Sequence, residues 1–129
     1  MKEKILILED EIGIRSFVSI NLKREGYEIV EAGTGREAIE KMTTEKDITI
    51  ALLDVMLPDI SGIEVCKFIR ENFDQVGIIM LTAKAQEDDK IEGFISGAYD
   101  YIIKPFSIKE LLVRVSALLR RVAKDDSSV

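Results

Sequence analysis

The chain has no histidine and a single cysteine, Cys66, among its 129 residues. Without an imidazole, no reaction scheme built on a histidine general base is open to it. One cysteine makes no internal disulfide. Cys66 lies between Ile63 and Ile69 on one helical stripe with no histidine to activate its thiol, so it reads as core packing. Long apolar runs are also missing. Charges interrupt every stretch well before the roughly 20 residues that cross a bilayer, and residues 1–8 are too short and too charged for a signal peptide. Basic excess is absent as well: 18 lysines and arginines face 24 acidic residues, a net charge of −6. That balance argues against direct binding to a nucleic-acid backbone, which needs a basic face. These absences together predict a cytoplasmic chain with no membrane role of its own.

What is present is ordinary for a globular domain, with 47% hydrophobic and 33% charged residues in an even mixture. A chain of this size buries roughly 70% of its unfolded surface in one core. The pattern supports one domain over residues 1–122. Residues 123–129 are a polar tail or the start of a linker to an output domain not contained in this chain. Short apolar runs at 4–8, 27–30, 49–53, 78–81 and 101–103 have strand length, and three of them read as buried on both faces. Between them lie helical stripes: Ile14, Phe17, Val18 and Leu22; Ala38, Ile39 and Met42; Ile63, Cys66 and Ile69; Ile91, Phe94 and Ile95; and Ile108, Leu111, Leu112, Val115, Leu118 and Val122. Thr34/Glu37, Ser61/Glu64 and Ser107/Glu110 have the spacing of reciprocal capping boxes. Gly26 and Gly97 read as left-handed helix caps.

Five strand-helix alternations with short connections predict an α/β (βα)5 fold: parallel strands, right-handed crossovers and helices on both faces of one sheet. Ligands of such doubly wound sheets bind beyond the carboxyl ends of the strands. Those ends carry Glu9 and Asp10 after the first strand, Asp54 after the third, Thr82 after the fourth and Lys104 after the fifth. Each alone has a plain alternative: a cap for Asp10, a turn for Asp54, a strand end for Thr82, a solvated flank for Lys104. Brought together, three acids require a cation, since two carboxylates about 4 Å apart repel by about 4 kcal/mol at an effective dielectric of 20. An all-oxygen site with one or two carboxylates suits magnesium, for which Asp10 and Asp54 can serve as ligands. An aspartate can also attack phosphorus in line when the equatorial oxygens are neutralised. Lys104 and the Thr82 hydroxyl fit that task.

The segments ILILEDE at 5–11, LDVMLPDISG at 53–62, LTAK at 81–84 and GAYDYIIKPFSIKE at 97–110 resemble the response-regulator receiver domains of two-component signalling, and the resemblance runs from about Lys4 to Arg121. It implies a flavodoxin-like five-stranded sheet in the order 2-1-3-4-5. It further implies Asp54 as phosphoacceptor, taking its phosphoryl group from the phosphohistidine of a sensor histidine kinase with Mg2+ as cofactor. Glu9 and Asp10 would be the acidic pair, with Asp10 nearest the metal, and the Met56 carbonyl would complete the protein ligands. Lys104 would pair with the phosphate through a cis Lys104-Pro105 turn. Thr82 and Tyr101 would be the switch pair: Thr82 moves to the phosphoryl group, and Tyr101 rotates into the vacated space, remodelling the face of the fourth helix, fifth strand and fifth helix.

The same resemblance points to the subclass that carries a winged-helix DNA-binding domain and forms a weak homodimer through that face on phosphorylation. DNA would be reached only through such an output domain. Lys90 with Glu110, and Asp100 with Arg121, match two intermolecular ion pairs. The acidic partner expected for Arg114 is replaced by Tyr99, and the capping box competes for Glu110. Met56 and Lys84 occupy the two positions that tune dephosphorylation. A thioether cannot orient a water as an amide or carboxylate can, which implies a long-lived phosphoryl state; burial of Met56 as simple packing is the alternative.

Two rival readings stand beside this one. Gly33-Thr34-Gly35-Arg36-Glu37-Ala38 is nominally a dinucleotide-binding glycine motif, with Asp54 some twenty residues on, although it follows a strand expected at the sheet edge. A magnesium-dependent phosphohydrolase could use Asp54 as a transient nucleophile, but the chain offers no general acid or base beyond Glu9.

Overall fold

The computed structural model describes residues 3–83 and 96–127 of the chain. Five strands form a parallel sheet: β1 (Lys4–Leu8), β2 (Glu28–Ala32), β3 (Ile48–Asp54), β4 (Gly77–Thr82) and β5 (Asp100–Ile103). Their order is β2-β1-β3-β4-β5. Helices α1 (Ile12–Arg24), α2 (Gly35–Thr44) and α3 (Gly62–Asn72) alternate with the first four strands, and a C-terminal helix, Ile108–Ser127, follows β5. The strands lie within two residues of the runs expected from sequence. The C-terminal helix continues past Val122, where its apolar stripe stops, into the span read as a tail. The stripe of Ile91, Phe94 and Ile95 lies outside the described residues.

The period-two alternation of the strands builds two cores, one on each face of the sheet. Leu6 and Leu8 of β1, Ala51 and Leu53 of β3, and Met80 of β4 face α2 and α3, where they pack with Ala38, Met42, Ile63, Cys66 and Ile69. Ile5, Ile7, Ile50, Leu52, Ile79 and Leu81 face the other way, onto Val18 and Leu22 of α1 and Leu111, Val115 and Leu118 of the C-terminal helix. Every residue of β4 is buried, and so is nearly every residue of β1 and β3, as the apolar runs require.

Helix starts follow the capping signals in half of their expected form. The amides of Glu37, Glu64 and Glu110 donate to the Thr34, Ser61 and Ser107 hydroxyls at 3.1, 3.3 and 3.0 Å. The reciprocal carboxylate bonds differ: Glu37 accepts from the Gly33 amide, while Glu64 pairs with Lys67 and Glu110 with Arg114. An exposed carboxylate next to a cation one turn away gains more from that cation than from bending back to a solvated amide. Gly26 and Gly97 have φ of 96° and 116°, the left-handed conformation expected of them.

The α1 stripe is rotated from its expected position. Phe17 is 48% exposed, whereas Ser19 is buried at 2%. The cause is local: the Ser19 hydroxyl donates to a carboxylate oxygen of Glu31 on β2, so a polar residue takes an inward position.

Candidate functional site

β1 and β3 are adjacent, yet the chain leaves their carboxyl ends in opposite directions, toward β2 and toward β4. The crevice between the two departing loops holds the acidic residues. One carboxylate oxygen each from Glu9, Asp10 and Asp54 lies within 4.8 Å of the others. Glu9 and Asp54 are buried and Asp10 is exposed. Glu11 holds the N-cap position of α1 without a side-chain cap, and Asp10 stays at the open side of the cluster.

Lys104 enters from the end of β5. Its amide donates to the Thr82 carbonyl at 2.7 Å, tying it to the end of β4. Its ammonium donates to Glu9 Oε1 and lies 3.4 Å from Asp54 Oδ2. The Lys104-Pro105 peptide is cis, as expected. The other Asp54 oxygen, Oδ1, accepts from the Met56 amide at 3.2 Å, and the second Glu9 oxygen accepts from the Glu11 amide at 3.3 Å. Behind Asp54, the first residue of α3 packs directly on the strand end. A Cβ on Gly62 would fall 1.9 Å from the Asp54 carbonyl oxygen, so only glycine allows this approach.

Burial pushes the Asp54 carboxyl up to about 7, helped by the hydrogen bond and negative charge of Glu9 and opposed by Lys104 and the Met56 amide. Burial alone would lower Lys104, but its bonds and charge interactions with Glu9 and Asp54 outweigh this and raise it. One ammonium thus does not balance three carboxylates. The residues present fit a hard divalent cation: an oxygen-only donor set, open on the Asp10 side, with surplus negative charge.

Of the remaining expected residues, Thr82 is buried at the end of β4, beside the cluster, and Tyr101 is buried on β5 among the residues that face α3. Met56 is 74% exposed, which removes packing as the reason for a thioether there. Lys84 and Lys90 lie outside the described residues. The charged groups of the β5 face pair within the chain. Arg114 donates to Asp100 at 2.8 Å and to Glu110 at 3.3 Å, while Arg121 lies over the Tyr99 ring at 5.2 Å. Arg114 thus keeps acidic partners although Tyr99 replaces the expected one, and Asp100 is joined to Arg114 rather than left open for Arg121.

Two groups near the site carried no signal in the sequence. Asp59, in the loop after Met56, accepts from the Gly35 and Arg36 amides, each at 3.0 Å. Those amides, the Arg36 bond foremost, hold its carboxyl down at about 2. Its partners are more than twenty positions away, and Asp59 reads as an ordinary turn residue. Asp59 and Thr34 together occupy the α2 amides that a pyrophosphate would need, so the glycine motif is a capped turn. Arg15 is the second group. Cys66 is buried, donates to the Ser96 carbonyl at 3.6 Å and is raised to about 11 by burial, with Arg70 opposing, as core packing implies.

The folded chain holds the Asp54 proton more tightly than the unfolded chain, where an aspartate titrates near 3.9. This group therefore favours the fold below about pH 4, and that contribution is lost as pH rises through about 7. In metal-free buffer, thermal melts from pH 4 to 8 should show wild-type stability declining relative to Asp54→Asn across that window. Parallel curves would exclude the raised carboxyl.

Residues 5–116 match the family described as the response regulator receiver domain. The transcriptional regulatory protein SrrA of Staphylococcus aureus is 50% identical over 121 residues, which make up 94% of this chain and 49% of that protein. The chain thus spans about half the length of the curated relatives it matches. Among solved structures, a CheY-like receiver domain protein from Methanospirillum hungatei superposes with a TM-score of 0.94 at 30% identity, covering 97% of this chain and 99% of that one. The signal receiver domain of a putative Luxo repressor protein from Vibrio parahaemolyticus gives 0.91 at 29% identity, covering 99% and 98%. No helix among the described residues is long and apolar enough to cross a membrane. In sequence and in backbone, the chain belongs to the family of response regulator receiver domains.

Proposed function

We propose that Asp54 accepts a phosphoryl group from the phosphohistidine of a sensor histidine kinase, and that the resulting charge is read at β5 and the C-terminal helix to control an output, transcription by analogy with SrrA. The observation that carries this reading is the cluster itself: a buried aspartate, two further carboxylates within 4.8 Å and a lysine in contact with two of them. Magnesium, held by Asp10, Asp54 and the Met56 carbonyl with Glu9 beside them, would supply the positive charge that ionises Asp54 and offsets the phosphoryl oxygens. A carboxylate oxygen of Asp54 attacks phosphorus, an acyl phosphate forms, and the phosphorus-nitrogen bond to the donor histidine breaks with its electron pair left on the imidazole. Lys104 turns from Glu9 toward the new phosphoryl oxygens, and the Thr82 hydroxyl donates to another. Tyr101, already packed inward, is held there once Thr82 is committed to the phosphoryl group.

The chain is a switch in this reading. It makes and slowly hydrolyses its own acyl phosphate and turns over no external substrate. The exposed Met56 side chain, two residues after Asp54, has no group that could orient water, which favours a long-lived phosphoryl state; Lys84 is the second tuning position. A phosphorylation-favoured homodimer through the β5 face rests on its exposed apolar residues Tyr99, Ile103 and Val113 more than on ion pairs, because exposed pairs contribute about 0–1 kcal/mol and Arg114 is paired in its own chain. Glu110, Asp100, Arg121 and Lys90 would then act as a polar rim.

Intact mass spectrometry after acetyl phosphate should show one phosphoryl adduct that requires magnesium and is absent from Asp54→Asn. Steady phosphate release at high turnover would instead indicate a phosphohydrolase. Met56→Asn should shorten the adduct's lifetime by several-fold; an unchanged lifetime would sink the assigned role of the thioether. In sedimentation runs, a phosphoryl mimic should strengthen dimerisation, and equal dimer constants with and without it would refute the dimer.

A further inference from the structure

The loop that carries Glu9 and Asp10 is held from behind by a side chain outside the reacting cluster. Arg15, in the first turns of α1, donates from Nη1 to the Glu9 backbone carbonyl at 2.8 Å and from Nε to Glu31 Oε1 at 3.2 Å. The second oxygen of Glu31 accepts from the Ser19 hydroxyl at 3.3 Å, and Ser19 is 2% exposed. The guanidinium is a planar fork, so contacts on two of its nitrogens fix its orientation. Gly33 closes another side: a Cβ there would stand 2.8 Å from Nη1. The Glu9 amide is itself bonded to the Ala32 carbonyl at 3.1 Å. The carbonyl that Arg15 holds belongs to the peptide joining Glu9 to Asp10, and a peptide unit is planar. Fixing that oxygen fixes the plane from which both carboxylates depart.

We propose that Arg15 is a positioning residue for the divalent cation, setting through the Glu9-Asp10 peptide the geometry in which those two carboxylates meet Asp54. The proposal rests on the magnesium reading above. Its sign separates it from simple electrostatics. Arg15 places a positive charge beside a cation site, so by Coulomb's law alone its removal tightens magnesium binding. Loss of a group that orients the ligands weakens binding, typically by roughly 10–100-fold. Glu31 and Ser19 serve by holding Arg15, and Gly33 by leaving room for it.

The test is calorimetric titration of Mg2+ alone into wild type, Arg15→Gln, Arg15→Lys and Gly33→Ala, well below the melting temperatures found in metal-free scans. Arg15→Gln should weaken binding about 10-fold or more, and Gly33→Ala, whose Cβ displaces the flexible end of the guanidinium, should weaken it in the same direction by less. Gly33→Ala changes no charge and only displaces the guanidinium, so it keeps the proposal testable if Arg15→Gln fails to fold. Arg15→Lys, which retains one donor for the Glu9 carbonyl, should recover part of the loss. Magnesium bound as tightly as by wild type, or more tightly, in Arg15→Gln and Gly33→Ala would overturn the positioning role and leave the metal site standing. A wild-type chain that binds no magnesium would overturn the metal site, and this inference with it.

Discussion

Three carboxylates and one ammonium group share the crevice beyond β1, β3 and β5, and the surrounding fold has to hold that unbalanced charge in place. Glu9 and Asp54 are almost wholly buried, so water does little to relieve their repulsion. Lys104 offsets part of it, and breaking such a buried pair costs about 3–5 kcal/mol, a large share of the roughly 5–15 kcal/mol that holds a domain folded. The central strands of the sheet are almost wholly buried and cannot shift singly without opening one of the two cores. Rigidity in the strands allows surplus negative charge at their ends, and that surplus suits the crevice to a divalent cation.

The holding contacts come from unequal distances along the chain. Met56 and Glu11 offer amides to carboxylates two residues away. Arg15 and Asp59 reach across elements, one to the first acidic loop and one to the start of α2. The loops that carry the acidic groups are therefore fastened at points removed from the chemistry, which leaves the Asp10 side open.

The strands and the residues at their ends were legible because both follow from short-range pattern: apolar runs of strand length, helical stripes between them and a polar residue where each run stops; the strand order came only with the family resemblance. The cluster was legible for the same reason, since the fold brings those ends together whatever the details. What the sequence could not convey depends on contacts between distant segments. Phe17 satisfies the helical period of α1 as well as Val18 does, and only the Ser19 bond to Glu31 shows which way the helix is turned. Asp59 is one polar turn residue among many until α2 is set beside it. The capping boxes were right in their hydroxyl half, fixed by three-residue spacing, and wrong where nearby cations drew the carboxylates away. Arg114 followed the same rule: Tyr99 removed one acidic neighbour, and Asp100 and Glu110 of the same chain supplied others.

β5 has only four residues, and each faces a different client. Asp100 anchors Arg114 on the C-terminal helix, Tyr101 sits in the core beside α3, Ile102 sits in the opposite core, and Ile103 meets solvent just before Lys104. At about 3.3 Å per residue, the whole strand is a lever roughly 13 Å long. One end leads through Lys104 into the acidic crevice, and the other is tied through Asp100 to Arg114 of the C-terminal helix. A lever that short leaves little room for slack, yet the two ends share no side chain. A substitution at Asp100 therefore alters the hold on the C-terminal helix without touching a side chain of the crevice.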